Sequence, residues 1–426
     1  MLEKLTLPNG LRILMEPMET VRTACFGVWV ASGSKDETRE NNGISHFIEH
    51  MAFKGTQNRT ARQLAEDMDA IGGQMNAFTT KEYTCFYAHT LDSHVEEGFS
   101  ILAEMITAPR FAEADIETEK GVVQEEIGMS EDDPEDLVFE QLSSAVWKES
   151  PYGMPILGSR KTVGGLSGGT LRDYLRRRYA PNRMVVSICG RFDRERFLCC
   201  VESFFAGAAA GDPVQKALPL SYRTSLVLTE KPQEQAYLSL CFPGLPSGHP
   251  ERYAMALLNS VLGGSSSSRL FQRIREELGI AYSIYSDTCP TQAGGLLCIQ
   301  ASVNPSAARR ATEEILQVLE RARGGVTERE FCRAREHYKS AVLMSMESPA
   351  SRAGYSGRCE LLSGKVDSDD EILAQVEAVT LGQVNRLAGL VLNPARMSLS
   401  AVGVIQEKDF FRQIVPSHDL CYNGLE

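Results

Sequence analysis

The strongest constraint on the fold is that one succession of secondary-structure signals runs through the chain twice, the second pass lagging the first by about 210 residues. In the first pass, Pro8-Asn9-Gly10 between two short apolar runs marks a tight β-hairpin. Cys25-Phe26-Gly27-Val28-Trp29-Val30 reads as a buried strand, and Ile44, Phe47, Ile48 and Met51 then recur at helical spacing. A strand pair follows at 74–79 and 83–87, then helical periodicity at 94–107 and 112–129, then a strand at 184–188. The second pass answers with strands at 226–231 and 236–241, a helix at 253–258, a strand pair at 276–282 and 296–303, and helices at 306–322 and 327–346. The small-residue stretch Phe204 to Pro213 reads as the start of a linker. The expectation is an α+β fold of two similar domains, each a mostly antiparallel sheet packed with helices, at 1–206 and 220–426 with a linker at 207–219.

Composition removes several classes of function. A chain of 426 residues with 43% hydrophobic content can bury such cores, so disorder is not the default. The net charge of -12 repels phosphate backbones, and no Lys/Arg-rich run with interleaved aromatics offsets it locally, which excludes nucleic acid as a partner. No apolar stretch approaches the roughly 20 residues that cross a bilayer, and the N-terminus has no secretory apolar run, so the expectation is no membrane and a cytoplasmic location. The eleven cysteines are scattered and form no Cys-x-x-Cys pair. They read as buried, reduced small hydrophobes and not as a disulfide framework or a thiolate metal site.

The chemistry concentrates in His46-Phe47-Ile48-Glu49-His50. The spacing of Ile44, Phe47, Ile48 and Met51 puts this run on a helix, where His46 and His50, four apart, project from one face and can bind one metal ion. Glu49 stands beside the pair but slightly off it, which suits a general base acting on water better than a ligand. The bland alternative is two solvated histidines on a surface helix. A hydrolytic zinc site needs three protein ligands and an open position, so one ligand must come from elsewhere. The acidic stretch Glu117 to Ile127 is helical by the periodicity of Ile116, Val122, Val123 and Ile127. It offers Glu119 and Glu126 two turns apart, on the face expected to carry Val122 and Val123 as well. A buried carboxylate needs a cation or donor to offset its desolvation, and a metal supplies one. Glu125 lies about 100° around the helix and is expected in solvent.

The segment Gly43-Ile44-Ser45-His46-Phe47-Ile48-Glu49-His50-Met51-Ala52-Phe53-Lys54-Gly55-Thr56 resembles the active-site signature of the pitrilysin/insulinase family of inverted-motif zinc peptidases, which includes the mitochondrial processing peptidase. The resemblance extends over the whole chain and is to processing-peptidase-like members. It implies one zinc ion (Zn2+) per chain and a third ligand about 76 residues past the second histidine, which selects Glu126. It also implies that Glu119, seven residues earlier, supports the site from behind the ligands. Glu49 would then deprotonate the attacking water and protonate the leaving amine.

The second half has Tyr253 to Asn259 where the motif would recur, and Ser340 to Met344 where the glutamate would, so no zinc is expected there. Its resemblance rests on Gly263 to Tyr282, whose Gly/Ser run lacks the Gly-Lys-Ser/Thr of a phosphate loop. Arg275 and Tyr282, seven apart, match a pair that reaches the bound peptide and can hydrogen-bond the scissile carbonyl as it becomes an oxyanion. For Arg275 the bland alternative is an ordinary surface arginine. Gly72 to Thr79 resembles the edge strand on which the peptide lies as an added β-strand, with Asn76 and Ala77 as candidate substrate-binding residues. An exposed edge can equally be covered by a loop.

The activity these features imply is that of a zinc endopeptidase acting on short or unfolded peptides. A non-catalytic, peptide-binding partner subunit is the main rival, although such subunits lose part of the motif and this chain keeps His46, Glu49, His50 and Glu126. A zinc hydrolase with a non-peptide substrate is the third. Larger relatives close four such domains around the substrate, so two domains per chain imply a dimer, either a homodimer or a heterodimer with a related subunit.

Overall fold

The computed structural model describes residues 2–214 and 218–415, and the backbone of 419–422. Residues 215–217 of the expected linker lie outside the described residues. The opening hairpin pairs β1 (Glu3–Thr6) with β2 (Arg12–Pro17). Beyond the Thr6–Arg12 pair, Leu7 N donates to Leu11 O at 2.9 Å and Gly10 N to Leu7 O at 2.8 Å, so the hairpin turns tightly at Pro8-Asn9-Gly10 as expected. The Asn9 side-chain amide is engaged elsewhere, donating to the Phe205 carbonyl at 2.7 Å.

Four further strands, β3 (Thr23–Val30), β4 (Gln74–Thr79), β5 (Thr84–Leu91) and β6 (Met184–Gly190), complete a sheet in the order β1-β2-β6-β3-β5-β4. Every neighbouring pair is antiparallel except β2 with β6. A second sheet holds β7 (Ser225–Glu230), β8 (Ala236–Pro243), β9 (Ala281–Pro290), β10 (Gly295–Val303), β11 (Ser398–Gly403) and β12 (Asp419–Tyr422), in the order β12-β7-β11-β8-β10-β9. From β2 to β4 and from β7 to β9 the two sheets correspond in order and direction, so the repeat is structural as well as sequential. The remaining edge differs, because β1 runs antiparallel to β2 whereas β12 runs parallel to β7. The strand expected at 276–282 is corrected. Residues 271–277 form a π-helical segment and β9 begins at Ala281. Leu270 and Ile274, four apart, are both fully buried, which holds that segment helical up to Gly279 at φ 61°.

The helices of the first pass include α1 (Ile44–Ala52), α2 (Ala61–Ala70), α3 (Val95–Thr107), α4 (Glu113–Asp132) and α5 (Pro134–Val146). One face of the first sheet packs Phe26, Val28 and Phe86 against Phe99, Leu102 and Met105 of α3 and against Phe197. The motif helix α1 buries Ile44, Phe47, Ile48 and Met51 in a separate cluster with Ile116, Val123 and Ile127 of α4 and with Leu171 and Tyr174. Burying a side chain of this size is worth roughly 1.5–3 kcal/mol, so these four anchors fix which face of α1 looks outward.

The compact units do not follow the expected division at 1–206 and 220–426. One unit comprises Met1–Gly128, Met154–Lys216 and Met344–Asp367; the other comprises Met129–Gly153, Ala217–Leu343 and Ser368–Glu426. The physical reason is where two amphipathic helices bury their apolar faces. On α5, Leu142 and Val146 join Trp147, Cys241, Leu296 and Cys298 of the second sheet. The helix Pro349–Ser363 places Ala353 among Leu14, Cys25, Trp29 and Cys189 of the first. Gly357 permits that approach, since a Cβ there would stand 2.6 Å from Trp29 ring atoms. Glu360 of the same helix is 1% exposed and is held by Lys4 Nζ at 2.8 Å and Arg12 Nη1 at 3.3 Å. The cysteines whose side chains are described are free thiols. Among the described residues no helix is long and apolar enough to cross a membrane.

Candidate active site

The metal-motif helix starts without a cap of its own. Its N-cap is Gly43 at φ 95°, which offers no side chain to the first free N–H groups. Glu37 takes that role from outside the helix: Oε2 accepts from Gly43 N at 2.7 Å and from Asn42 Nδ2 at 2.8 Å, and Oε1 accepts from Ser45 N at 2.8 Å. Burial pushes the Glu37 carboxyl above its ordinary pKa, while these donors pull it back. Ser45 Oγ also meets Tyr174 Oη at 3.0 Å, which in turn reaches Ser32 Oγ at 3.1 Å. The first turn is therefore tied down on two sides before any ligand is considered. Sequence reading missed Glu37, Tyr174 and Ser32, and nothing local in the sequence marks them.

His46 and His50 leave α1 from one face, with Nε2 atoms 3.2 Å apart. Glu126 of α4 comes to the same point, Oε1 lying 3.6 Å from His46 Nε2 and Oε2 3.4 Å from His50 Nε2. Metal–ligand bonds of 2.0–2.1 Å in tetrahedral geometry put ligand atoms about 3.3–3.4 Å apart, and the observed separations bracket that value. Among the described residues this is the one His/Cys/Asp/Glu group whose ligand atoms all lie within 4.8 Å of one another. Two imidazole nitrogens facing each other, beside a Glu126 Oε2 that is buried without a hydrogen-bond partner, are a donor set that asks for a cation. The residues fit a zinc ion.

Glu119 lies behind the ligands. It falls in the buried stripe Ile116, Glu119, Val123 and Ile127 of α4, so it is a carboxylate at a core position. Val122, expected on this face, is 47% exposed; the stripe advances by three and four residues and passes it by. Glu125 is exposed, as its angular position requires. Glu119 Oε1 stands 2.8 Å from His50 Nδ1, so that nitrogen carries the proton and Nε2 keeps its lone pair for the cluster. Glu119 Oε2 is 2.6 Å from Lys54 Nζ. Burial, then the neighbouring His50, lower the His46 pKa to about 4, the neutral state a ligand needs. Burial also opposes protonation of His50, but the carboxylates of Glu126 and Glu119 beside it outweigh that and raise its pKa. The nearness of His50 in turn lowers the pKa of Glu126.

Glu49 is half-buried beside the pair. Its Oε2 accepts from Thr79 Oγ1 at 2.5 Å, and Thr79 is the last residue of β4. Burial raises the Glu49 carboxyl and the Thr79 hydroxyl opposes that rise. Strand β4 is an edge of its sheet, paired on one side with β5. Asn76 is exposed on it and Ala77 is 9% exposed, and the Ala77 N–H donates to Asn76 Oδ1 at 2.8 Å. Thr79 was within the stretch singled out from sequence, but its contact with Glu49 was not foreseen.

Arg275 and Tyr282 belong to the second unit. Arg275 lies on the π-helical segment with its guanidinium 4.8 Å from the Phe271 ring centroid, and Tyr282 on β9 is 76% exposed. The Gly/Ser run has a packing explanation, since a Cβ on Gly263 would come within 2.4 Å of Ser286 N on β9. A cleft of about 490 Å³ in the second unit, with Trp147, Tyr222, His249 and Arg396 in its lining, contains none of the candidate residues.

Two family profiles match the chain in succession. The profile described as Insulinase (Peptidase family M16) matches residues 12–160, and that described as Peptidase M16 inactive domain matches 166–338. The zinc protease YmxG of Bacillus subtilis, an uncharacterized protein, is 42% identical over 389 residues, 91% of this chain and 95% of the relative. SCO5738 of Streptomyces coelicolor, likewise described as an uncharacterized zinc protease, is 36% identical over 416 residues, 96% of this chain and 90% of the relative. Two solved structures share the fold. A peptidase M16 inactive domain from Pseudomonas fluorescens has a TM-score of 0.89 at 20% identity, covering 95% of this chain and 98% of its own. A protease from Helicobacter pylori has a TM-score of 0.87 at 19% identity, covering 95% of this chain and 99% of its own. With a relative this similar over nine-tenths of its length, the chain belongs to the M16, or insulinase, family of peptidases.

Proposed function

We propose that the protein is a zinc endopeptidase that cleaves short or unfolded peptides. The observation that carries this reading is the convergence of His46, His50 and Glu126 on one point, with Glu49 held beside it by Thr79. His46, His50 and Glu126 hold one zinc ion per chain. Bound there, zinc supplies Lewis acidity that brings water toward a nucleophile at neutral pH and polarises a carbonyl. Glu119 keeps His50 in the tautomer that presents Nε2. Glu49 accepts the proton of the attacking water and returns it to the leaving amine. The peptide adds to the β4 edge at Asn76 and Ala77, where main-chain pairing admits many sequences. Arg275 and Tyr282 hydrogen-bond the scissile carbonyl, from the same chain or from a second copy. The free thiols suit a reducing, cytoplasmic compartment.

The test is cleavage of a panel of quenched unfolded peptides by the purified protein with zinc present. Cleavage that is lost in Glu49→Gln supports the reading. Peptide binding without cleavage by the zinc-loaded wild type would instead make it a partner subunit. We further propose a dimer, either of two copies of this chain or with a related subunit, enclosing the substrate. Mixing inactive Glu49→Gln with inactive Arg275→Ala chains restores activity only if Glu49 and Arg275 serve one site from different subunits. A monomer by light scattering that cleaves at full rate would rule the dimer out.

A further inference from the structure

We infer that Lys54 is a positioning residue of the metal centre, acting on His50 through Glu119; the inference rests on the zinc-peptidase reading above. His46, His50 and Lys54 are spaced four apart, and the turn that continues α1, with Phe53 N donating to His50 O and Lys54 N to Met51 O at 3.1 Å each, keeps Lys54 on the histidine face. Opposite them on α4, Glu119 and Glu126 are two turns apart. Their contacts interleave. Glu126 meets His46 and His50, and Glu119 meets His50 at 2.8 Å and Lys54 at 2.6 Å. The two helices thus form a ladder whose upper rungs hold the cation site and whose lowest rung is an ion pair.

The Glu119 side chain is 3% exposed, in a stripe otherwise made of Ile116, Val123 and Ile127. A carboxylate in that position needs a partner for each oxygen. His50 Nδ1 faces one oxygen; the other makes no hydrogen bond and has the Lys54 ammonium, at 2.6 Å, as its ion-pair partner. With Lys54 removed, Oε2 loses its cation, the carboxylate is free to turn, and the His50 ring it orients turns with it. Three carboxylates, Glu49, Glu119 and Glu126, a zinc dication and the Lys54 ammonium sum to zero. An exposed ion pair does little, but this lysine, 36% exposed along its side chain, serves a carboxylate that water does not reach.

Positioning and bare electrostatics predict opposite signs. Removing a cation near a dication tightens zinc by Coulomb's law alone, whereas loosening the Glu119–His50 contact weakens it, typically about 10–100-fold. The experiment measures zinc Kd by competition with a chromophoric chelator for wild type, Lys54→Met, Lys54→Gln, Lys54→Arg, Glu119→Gln and the double variant Lys54→Met/Glu119→Gln. The expected result is weakening of about 10–100-fold in both Lys54→Met and Lys54→Gln and recovery to within about threefold in Lys54→Arg. Lys54→Met should change Kd less than about twofold once Glu119 is already Gln, because the two act as one unit. Zinc affinity that is unchanged or tighter without Lys54, or a full additive loss in the double variant, overturns the inference. Wild type that binds no zinc refutes the peptidase reading along with it. Zinc-binding wild type with unaffected Lys54 variants refutes this inference alone.

Discussion

Thr79 Oγ1 donates to Glu49 Oε2 at 2.5 Å, so the end of the edge strand that would receive a peptide also holds the carboxylate that would receive the proton. Replacing Thr79 by Val removes the donor and keeps the β-branched shape. The expected outcome is a fall in kcat of about 10–100-fold, because a base displaced by an ångström loses most of its advantage. Zinc content and KM should stay near wild type, and Thr79→Ser should recover most of the rate. A parallel loss of zinc, read by elemental analysis, would mean that Thr79 holds the site together and does not aim the base.

Metal binding and proton transfer belong to different residues, so they should separate on mutation. Glu49→Gln is expected to keep its zinc and lose about 10²–10⁴-fold in rate, since an amide accepts no proton. His50→Ala and Glu126→Gln are expected to lose the zinc itself. A chelator should abolish cleavage by the wild type and added zinc should restore it. Full zinc retention in a His46→Ala/His50→Ala double variant would remove the assignment.

Glu37 caps a helix that cannot cap itself. Glu37→Ala leaves the N–H groups of Gly43 and Ser45 buried without acceptors, at about 1–3 kcal/mol for each orphaned group. Thermal unfolding should show a clear fall in Tm, with zinc affinity reduced because both histidines ride on the same helix. Glu37→Gln, which keeps one acceptor oxygen, should lie between. An unchanged Tm in Glu37→Ala would show that another group or water takes over the cap.

Glu330 reports on the second unit through pH. The Arg269 fork, at 2.7 Å to each oxygen, lowers its carboxyl to about 2 from an ordinary 4.5, with burial opposing and Thr327 assisting. A depressed carboxylate adds stability that is fully present above the unfolded value and is lost as pH falls toward the folded one. Arg269→Met should therefore lower Tm at neutral pH, and the gap from wild type should narrow between pH 4.5 and 2. A gap that stays constant over this range would assign the loss to packing of the arginine stem.

Local geometry accounts for what could be read without coordinates. Residues four apart on a helix share a face whatever surrounds them, so His46 and His50 were legible as a pair, and the repeat of strand and helix signals was legible as two related sheets. The stripe on α4 was half legible. Periodicity said that it existed, but Val122 and Val123 are adjacent, and only packing chose Val123 for the core and left Val122 in solvent. Glu119 shows the limit from the other side, because hydropathy places a carboxylate outside unless a partner is known, and its partners His50 and Lys54 lie on another helix and in the turn that ends it.

By itself the sequence determined the ligand spacings, the helix that carries them and the twofold order of elements, all set by backbone geometry within a few turns. Tertiary structure alone decided that Glu37 would cap α1, that Thr79 would hold Glu49, and that α5 and the helix Pro349–Ser363 would each bury against the sheet of the other half of the chain. An amphipathic pattern states that a helix has a face to bury. It carries no information on which of two similar sheets will cover that face, since the hydrophobic effect is non-directional and the choice depends on shape complementarity between residues far apart in the chain.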